Sequence, residues 1–265
     1  MKLGFIGAGN MGSAIIKGIL SQGCIAPHDI YISRKRPALS AEFAAQGVQI
    51  TGSNIELAKA VDCVVIAVKP IYVQQVLDEV YDYLKDKLVI SIVAGWTHDM
   101  LCSALPDCTR FVRVMPNTPL AVGEGMSLIS SRYTCTESEF AFTKQIFECA
   151  GKVAVVEDHV FSPAMGISGC GPAFVYQFIE ALADGGVACG LPRQKAQEYA
   201  AQTLLGAAEM VLKSGMHPGA LKDAVCSPAG STIQGVRALE AGGFRGDIFE
   251  AVAAAYEKTK ELGKK

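Results

Sequence analysis

The stretch K-L-G-F-I-G-A-G-N-M-G-S-A-I-I-K-G-I-L, Lys2 to Leu20, decides how the rest of the chain is read. Leu3–Ile6 is a short apolar run that predicts a buried strand. Ile15, Ile16, Ile19 and Leu20 then recur at helical spacing. Between them, Gly7-Ala8-Gly9-Asn10-Met11-Gly12 spells G-x-G-x-x-G in a strand–turn–helix setting. The glycines permit a tight turn and let a pyrophosphate approach the helix start, where free amides and the helix dipole favour an anion. A purely structural glycine-rich turn would have the same spelling.

Working outward, the next predicted strand, Ile30–Ile32, runs into Ser33-Arg34-Lys35-Arg36. A fold that prefers NAD usually places a carboxylate here for the ribose 2′-hydroxyl. This chain offers a hydroxyl and three cations, and a guanidinium can meet a 2′-phosphate with paired charged hydrogen bonds. The reading is therefore NADP(H) preferred, with NAD(H) as the second cofactor. Cys63–Val68, Leu88–Val93, Phe111–Met115 and Val153–Val156 are further apolar strands, and Glu137–Ala150 reads as a helix. Such alternation implies an α/β Rossmann domain with a doubly wound parallel sheet. Ligands of such sheets lie outside the carboxyl ends of the strands, so Lys69-Pro70, Ala94-Gly95 and Asn117-Thr118 should converge.

Composition narrows the function classes. The chain has 265 residues, half of them hydrophobic, and 24 basic against 26 acidic residues give a net charge of −2. No basic surplus advertises nucleic acid, and no apolar run approaches the roughly 20 residues of a membrane span. Lys2 followed by Leu3–Ala8 mimics a secretory leader, but Asn10, Ser13 and Lys17 interrupt it. Nine cysteines without a C-x-x-C pair read as reduced thiols in a cytoplasmic protein rather than a disulfide frame, and four isolated histidines predict no metal.

After Asp158 the pattern turns helical. Helices are predicted from Pro172 to Gly185-Gly186, from Leu191-Pro192 to Gly215, and over Pro218–Val225, Thr232–Leu239 and Asp247–Leu262. Their apolar residues cover more than one face, which argues burial against a second copy. The division is placed at 1–160 for the nucleotide domain and 161–265 for an all-α dimerisation and substrate domain.

These pieces, in this order, resemble the pyrroline-5-carboxylate reductases over essentially the whole length. The resemblance rests on G-F-I-G-A-G-N-M-G, A-V-K-P (67–70), V-M-P-N-T-P (114–119), S-G-C-G-P-A-F (168–174), A-L-A-D-G-G-V (181–187), G-L-P-R (190–193) and L-K-D-A-V-C-S-P-A-G-S-T. The last is the most specific. The chain departs from the family at Cys170, Phe174, Trp96 and Ala229, the last replacing a glycine.

The resemblance implies the reduction of 1-pyrroline-5-carboxylate to proline by a nicotinamide cofactor. It implies a homodimer and, beyond it, a decamer of dimers. It places cofactor contacts on Ile6, Gly7, Ala8, Gly9, Asn10, Met11, Ser33, Arg34, Asn54, Ala67, Val68, Lys69, Pro70, Val93, Ala94 and Gly95. Substrate contacts fall on Val225, Ser227, Gly230, Ser231 and Thr232, with the Thr232 hydroxyl on the ring nitrogen as positioning group or proton relay. The residues alone leave simple N-capping by Ser231 or Thr232 as an equal reading of that loop. A β-hydroxyacid dehydrogenase or other imine reductase, and a catalytically silent NADP(H)-binding regulator, remain the alternatives.

Overall fold

The computed structural model describes residues 1–33 and 40–263. The chain divides into two compact units, Met1–Cys170 with Ala255–Lys265, and Gly171–Ala254. The first unit is built on β1 (Leu3–Ile6), α1 (Asn10–Gln22), β2 (Ile30–Ser33), α2 (Ala41–Ala44), β3 (Gln49–Thr51), α3 (Asn54–Ala60), β4 (Cys63–Ile66) and α4 (Val73–Val80). It continues through β5 (Leu88–Ser91), α5 (His98–Ala104), β6 (Arg110–Met115), β7 (Gly125–Ser130), α6 (Glu137–Glu148), β8 (Gly151–Val156) and α7 (Asp158–Ser168).

The sheet has eight strands in the order β3-β2-β1-β4-β5-β6-β7-β8. Chain direction across the sheet reverses between β1 and β4, which is where a doubly wound sheet opens its ligand crevice. The strands read as unbroken apolar runs because helices cover both faces. Leu3, Phe5, Cys63, Val65, Leu88 and Ile90 pack with Ile15, Ile16 and Ile19 of α1. The alternate residues Ile6, Val64, Ile66 and Val89 pack with Leu57 of α3 and with Val73, Leu77 and Val80 of α4.

Three features differ from the sequence-based expectation. The sheet is parallel except at β6–β7, which pair antiparallel. Only residues 116–124 connect them, too few for the crossover of a dozen or more that a parallel pair requires. β3 and β7 themselves were not predicted, since three residues are too few to show a period and β7 mixes glycine and serine with its apolar positions. Finally, the contact division falls after Cys170, beyond the expected boundary at 160. Asp158–Ser168 is one helix, and its Phe161 and Met165 bury against Leu128 of β7.

The cysteine reading is also corrected. Cys24 and Cys149 are joined by a disulfide, with Cα atoms 6.5 Å apart and 125 residues between them in sequence. The other seven cysteines are free. Each bonded cysteine just follows a helix end, α1 and α6 respectively, and only folding brings those ends together.

The second unit contains α8 (Gly171–Ala188), α9 (Arg193–Ser214), α10 (Pro218–Ala224), α11 (Ser231–Ala241) and the first part of α12 (Phe244–Leu262). Its buried cluster is small: Ala183, Ala196 and Ala200, backed by Ile179 and Val187. Large side chains stand outside it, with Leu212 83% and Phe249 78% exposed. Phe174, Phe178, Leu182, Phe244 and Ile248 line an apolar groove of about 990 Å³. Alanine faces bring α8 and α9 close but remove too little apolar surface to account for so many exposed aromatic and leucine side chains.

Candidate active site

The carboxyl ends of β2, β1, β4 and β5 are laced by backbone hydrogen bonds. Gly7 N–H donates to the Ser33 carbonyl at 2.9 Å, Ala67 N–H to Ile6 at 2.9 Å, and Ile92 N–H to Ile66 at 3.3 Å. The Ser33 hydroxyl donates to Asn54 Oδ1 at 2.7 Å. Ile6, Gly7, Ser33, Asn54 and Ala67 are thereby held in one row across the strand ends. Val68 belongs to the same cluster through its contact with the Gly7 position. Arg34 lies outside the described residues.

The glycines explain the shape of this row. Gly7 has φ +86°, and a Cβ there would lie 2.6 Å from Val68 Cγ1 and 2.9 Å from the Ala67 carbonyl. A Cβ on Gly12 would stand 2.8 Å from the Gly7 carbonyl, so the turn and α1 can close only without side chains. Gly9 differs: nothing lies within 4 Å of its would-be Cβ. It is the N-cap of α1, extended at φ −73°, with no side-chain cap bond. The space beside the N-cap of α1 is thus open, which fits the pyrophosphate of a dinucleotide at this helix start.

The remaining predicted cofactor residues are dispersed along the same edge. Lys69 is exposed and caps a single 3-10 turn, Pro70–Tyr72. Val93 and Gly95 line a cavity of about 220 Å³ at the ends of β5 and β6, shared with Ser91, Arg113, Met115 and Met165. Ala94 lies between them, half-buried. Gly95 also has a packing reason, because a Cβ there would strike Leu262 Cβ at 2.8 Å. Asn117 is not turned outward: its Nδ2 donates to the Ser168 carbonyl and its Oδ1 accepts from Met126 N–H, both at 2.9 Å.

Two side chains here carried no sequence signal. Glu79 accepts from Asn54 Nδ2 at 2.8 Å, setting the amide that Ser33 also holds. Arg113, with its side chain 13% exposed, pairs with Asp158 at 2.9 Å and covers the Phe161 ring at 4.5 Å. Burial pulls the guanidinium below its ordinary value, and Asp158 works against that. Both contacts join residues 25 or more positions apart.

In the second unit, the predicted substrate residues form one continuous loop. Val225 caps α10 and is 65% exposed. Ser227–Gly230 is a turn closed by Gly230 N–H on the Ser227 carbonyl at 3.0 Å. A Cβ on Gly230 would sit 2.3 Å from Ser227 Oγ, so a side chain here would force the Ser227 hydroxyl to turn away. Ala229 holds the third turn position with φ 58°, a left-handed conformation that usually selects glycine. Ser231 and Thr232 then form the first turn of α11.

The loop also settles the alternative left open by its composition. The N-cap of α11 is Gly230, and no side chain caps the helix. Elsewhere hydroxyls do that work: Ser53, Thr97 and Thr136 accept from the first turns of α3, α5 and α6. Several helices carry no side-chain cap, α2, α4, α7 and α9 among them, but of the uncapped ones α1 and α11 are those whose N-cap is a glycine.

Residues 158–262 match the family model for pyrroline-5-carboxylate reductase dimerisation, and residues 2–95 match the NADP oxidoreductase, coenzyme F420-dependent model. The pyrroline-5-carboxylate reductase of Escherichia coli (strain K12) is 43% identical, covering 99% of this chain and 98% of the relative. That of Pisum sativum is 45% identical over 98% and 95%. The crystal structure of Plasmodium falciparum pyrroline carboxylate reductase with NADP bound superposes with a TM-score of 0.93 at 37% identity, covering 99% of this chain and 98% of that one. Identity of 43% and 45% over nearly the whole length of the first two relatives, together with the dimerisation match, means that the chain belongs to the pyrroline-5-carboxylate reductase family.

Proposed function

We infer that this chain is a pyrroline-5-carboxylate reductase, reducing the cyclic imine of 1-pyrroline-5-carboxylate to L-proline. The observation that carries the reading is the pair of uncapped helix starts whose N-cap is a glycine, Gly9 and Gly230, one for each anionic ligand. The amides at Gly9–Met11 receive the cofactor pyrophosphate. Those of Gly230, Ser231 and Thr232 receive the substrate carboxylate, and a charged side chain there would compete with it.

The bound nicotinamide supplies the hydride that the imine carbon, C5 of the ring, accepts. The protein's own task is positioning. The Thr232 hydroxyl accepts a hydrogen bond from the protonated ring nitrogen, which keeps C5 electrophilic. A hydroxyl is a poor acid at neutral pH, so Thr232 orients the ring or relays a proton instead of ionising. Ser227 and Val225 border the same loop.

NADPH is the proposed preference over NADH. Ser33 is followed by Arg34, Lys35 and Arg36, whose charge favours a 2′-phosphate despite the Glu79 carboxylate that holds Asn54. The helical unit associates with its copy in a dimer through the apolar groove along α8, α9 and α12, and a decamer of dimers is the proposed larger assembly. Seven free cysteines suit a reducing compartment, so the cytoplasm is the proposed location.

The test follows NADPH oxidation with pyrroline-5-carboxylate set against its six-membered homologue. Turnover should favour the five-membered ring, and Thr232→Ala should lower it by about 10- to 1000-fold, the span of one lost positioning or proton-transfer partner. An unchanged rate in that variant removes Thr232 from the mechanism. Cofactor binding without any turnover would mark a silent nucleotide-binding protein instead.

A further inference from the structure

Cys24 and Cys149 are set apart from the other cysteines by where they lie. Cys63 and Cys135 are buried, and burial pushes both thiols up, that of Cys135 to about 11. Cys102, Cys108 and Cys189 are exposed, and none of the seven free cysteines is bonded to another. Cys24 and Cys149 are half-buried and bonded, so a small thiol in solution can reach a pair already at bonding distance.

Packing holds that distance independently of the bond. A Cβ added to Gly18 of α1 would lie 2.4 Å from the Cβ of Ala150, the residue after Cys149. Ile19, Ile146, Phe147 and Ala150 are all buried in one cluster. Opening the disulfide therefore leaves the two sulfurs facing each other, and the bond can re-form without rearrangement of the sheet or its helices.

We propose that Cys24 and Cys149 are a reversible thiol–disulfide couple that fastens the far end of α1, the helix whose first amides serve the cofactor, to the end of α6. The partner reagents are low-molecular-weight disulfides and thiols. One cysteine thiolate attacks a sulfur of the small disulfide, forming a mixed disulfide and releasing one small thiolate. The second cysteine thiolate attacks the protein sulfur of that bond, forming the Cys24–Cys149 bond and releasing the other small thiolate. Two electrons pass to the small disulfide, and the two cysteine protons end on the two released thiols. Excess small thiol runs the same steps backward.

The fastening spans 125 residues, so it constrains the unfolded chain strongly. The oxidised protein should melt about 5–15 °C above the reduced one, for a native disulfide of ordinary effect in a chain of this size. The experiment equilibrates the full-length protein with oxidised or reduced glutathione, removes the glutathione, unfolds the protein in a thiol-blocking reagent so that buried thiols are reached, and maps peptides without reduction alongside thermal melts. The expected result is a Cys24–Cys149 linked peptide and seven blockable thiols after oxidation, against nine after reduction. Cys24→Ser and Cys149→Ser should each abolish the linked peptide and the melting shift, while Cys102→Ser retains both. Nine blockable thiols after oxidation, a different linked pair, or a shift that survives in both serine variants would overturn the proposal.

Discussion

The pair of substitutions Gly9→Ala and Gly7→Ala separates cofactor binding from folding. Both add one methyl to the same turn, yet the structure assigns them different costs. At Gly9 the methyl meets nothing within 4 Å, and φ −73° is ordinary for alanine. The stability cost is that of alanine at an N-cap, at most about 1 kcal/mol, or about 2–4 °C. That methyl does occupy the space through which a pyrophosphate must approach. Losing one charge-assisted hydrogen bond of about 1.5–3 kcal/mol weakens NADP(H) binding by about 10- to 150-fold. At Gly7 the backbone itself is left-handed, φ +86°, costing an alanine about 1–2 kcal/mol before the 2.6 Å contact with Val68 is counted. Gly7→Ala should therefore lower Tm by about 2–8 °C and weaken the cofactor as well. Thermal melts and calorimetric titration with NADP+ read both quantities. A Gly9→Ala protein that binds NADP+ like the parent would refute the reasoning, because it would mean that the dinucleotide does not pass over this glycine.

Three further outcomes follow from single side chains. Arg34→Ala should raise the NADPH KM by about ten-fold or more while leaving NADH nearly untouched, since only NADPH offers the 2′-phosphate that a charged hydrogen bond reads; equal effects on both cofactors exclude this turn. Ala229→Gly relieves the left-handed strain at φ 58°, about 1–2 kcal/mol, against about 0.4–1 kcal/mol of added unfolded-chain freedom, so Tm should rise by up to about 5 °C. A fall in Tm would contradict the turn geometry. Burial pushes the Glu139 carboxyl up, but the Thr136 amide and Arg110, whose Nε donates at 2.8 Å, outweigh it and hold the group below its ordinary range. A depressed folded pKa contributes stability above about pH 4.3, the unfolded value, and loses it as pH falls through the folded one. Glu139→Gln should thus cost on the order of 1–2 kcal/mol at neutral pH, with the difference from the parent shrinking in acid melts. Parallel curves across that range would show that the ionised carboxylate contributes nothing.

The readable parts of this chain were local. Strand, glycine turn and helix at Leu3–Gln22 announce themselves within twenty positions, because backbone conformation and apolar period are properties of neighbouring residues. The same holds for Pro218–Ala224 and Ser231–Ala241, bounded by proline, glycine and serine. The loop from Val225 to Thr232 is one segment, so its residues needed no folding to be found together. Where a signal was short or mixed, as in β3 and β7, the period had too few turns to show.

What the sequence by itself determined is that glycine stands at positions 9 and 230, just ahead of two helical patterns, while which residue serves as each N-cap was left to the fold. Tertiary structure alone decided the Cys24–Cys149 bond, the Glu79–Asn54–Ser33 chain, the Arg113–Asp158 pair and the antiparallel turn of the sheet at β7. Each of these joins atoms whose proximity depends on how elements pack or which strand lies beside which. That proximity is fixed by the whole chain burying its apolar surface, and no neighbouring residue records it.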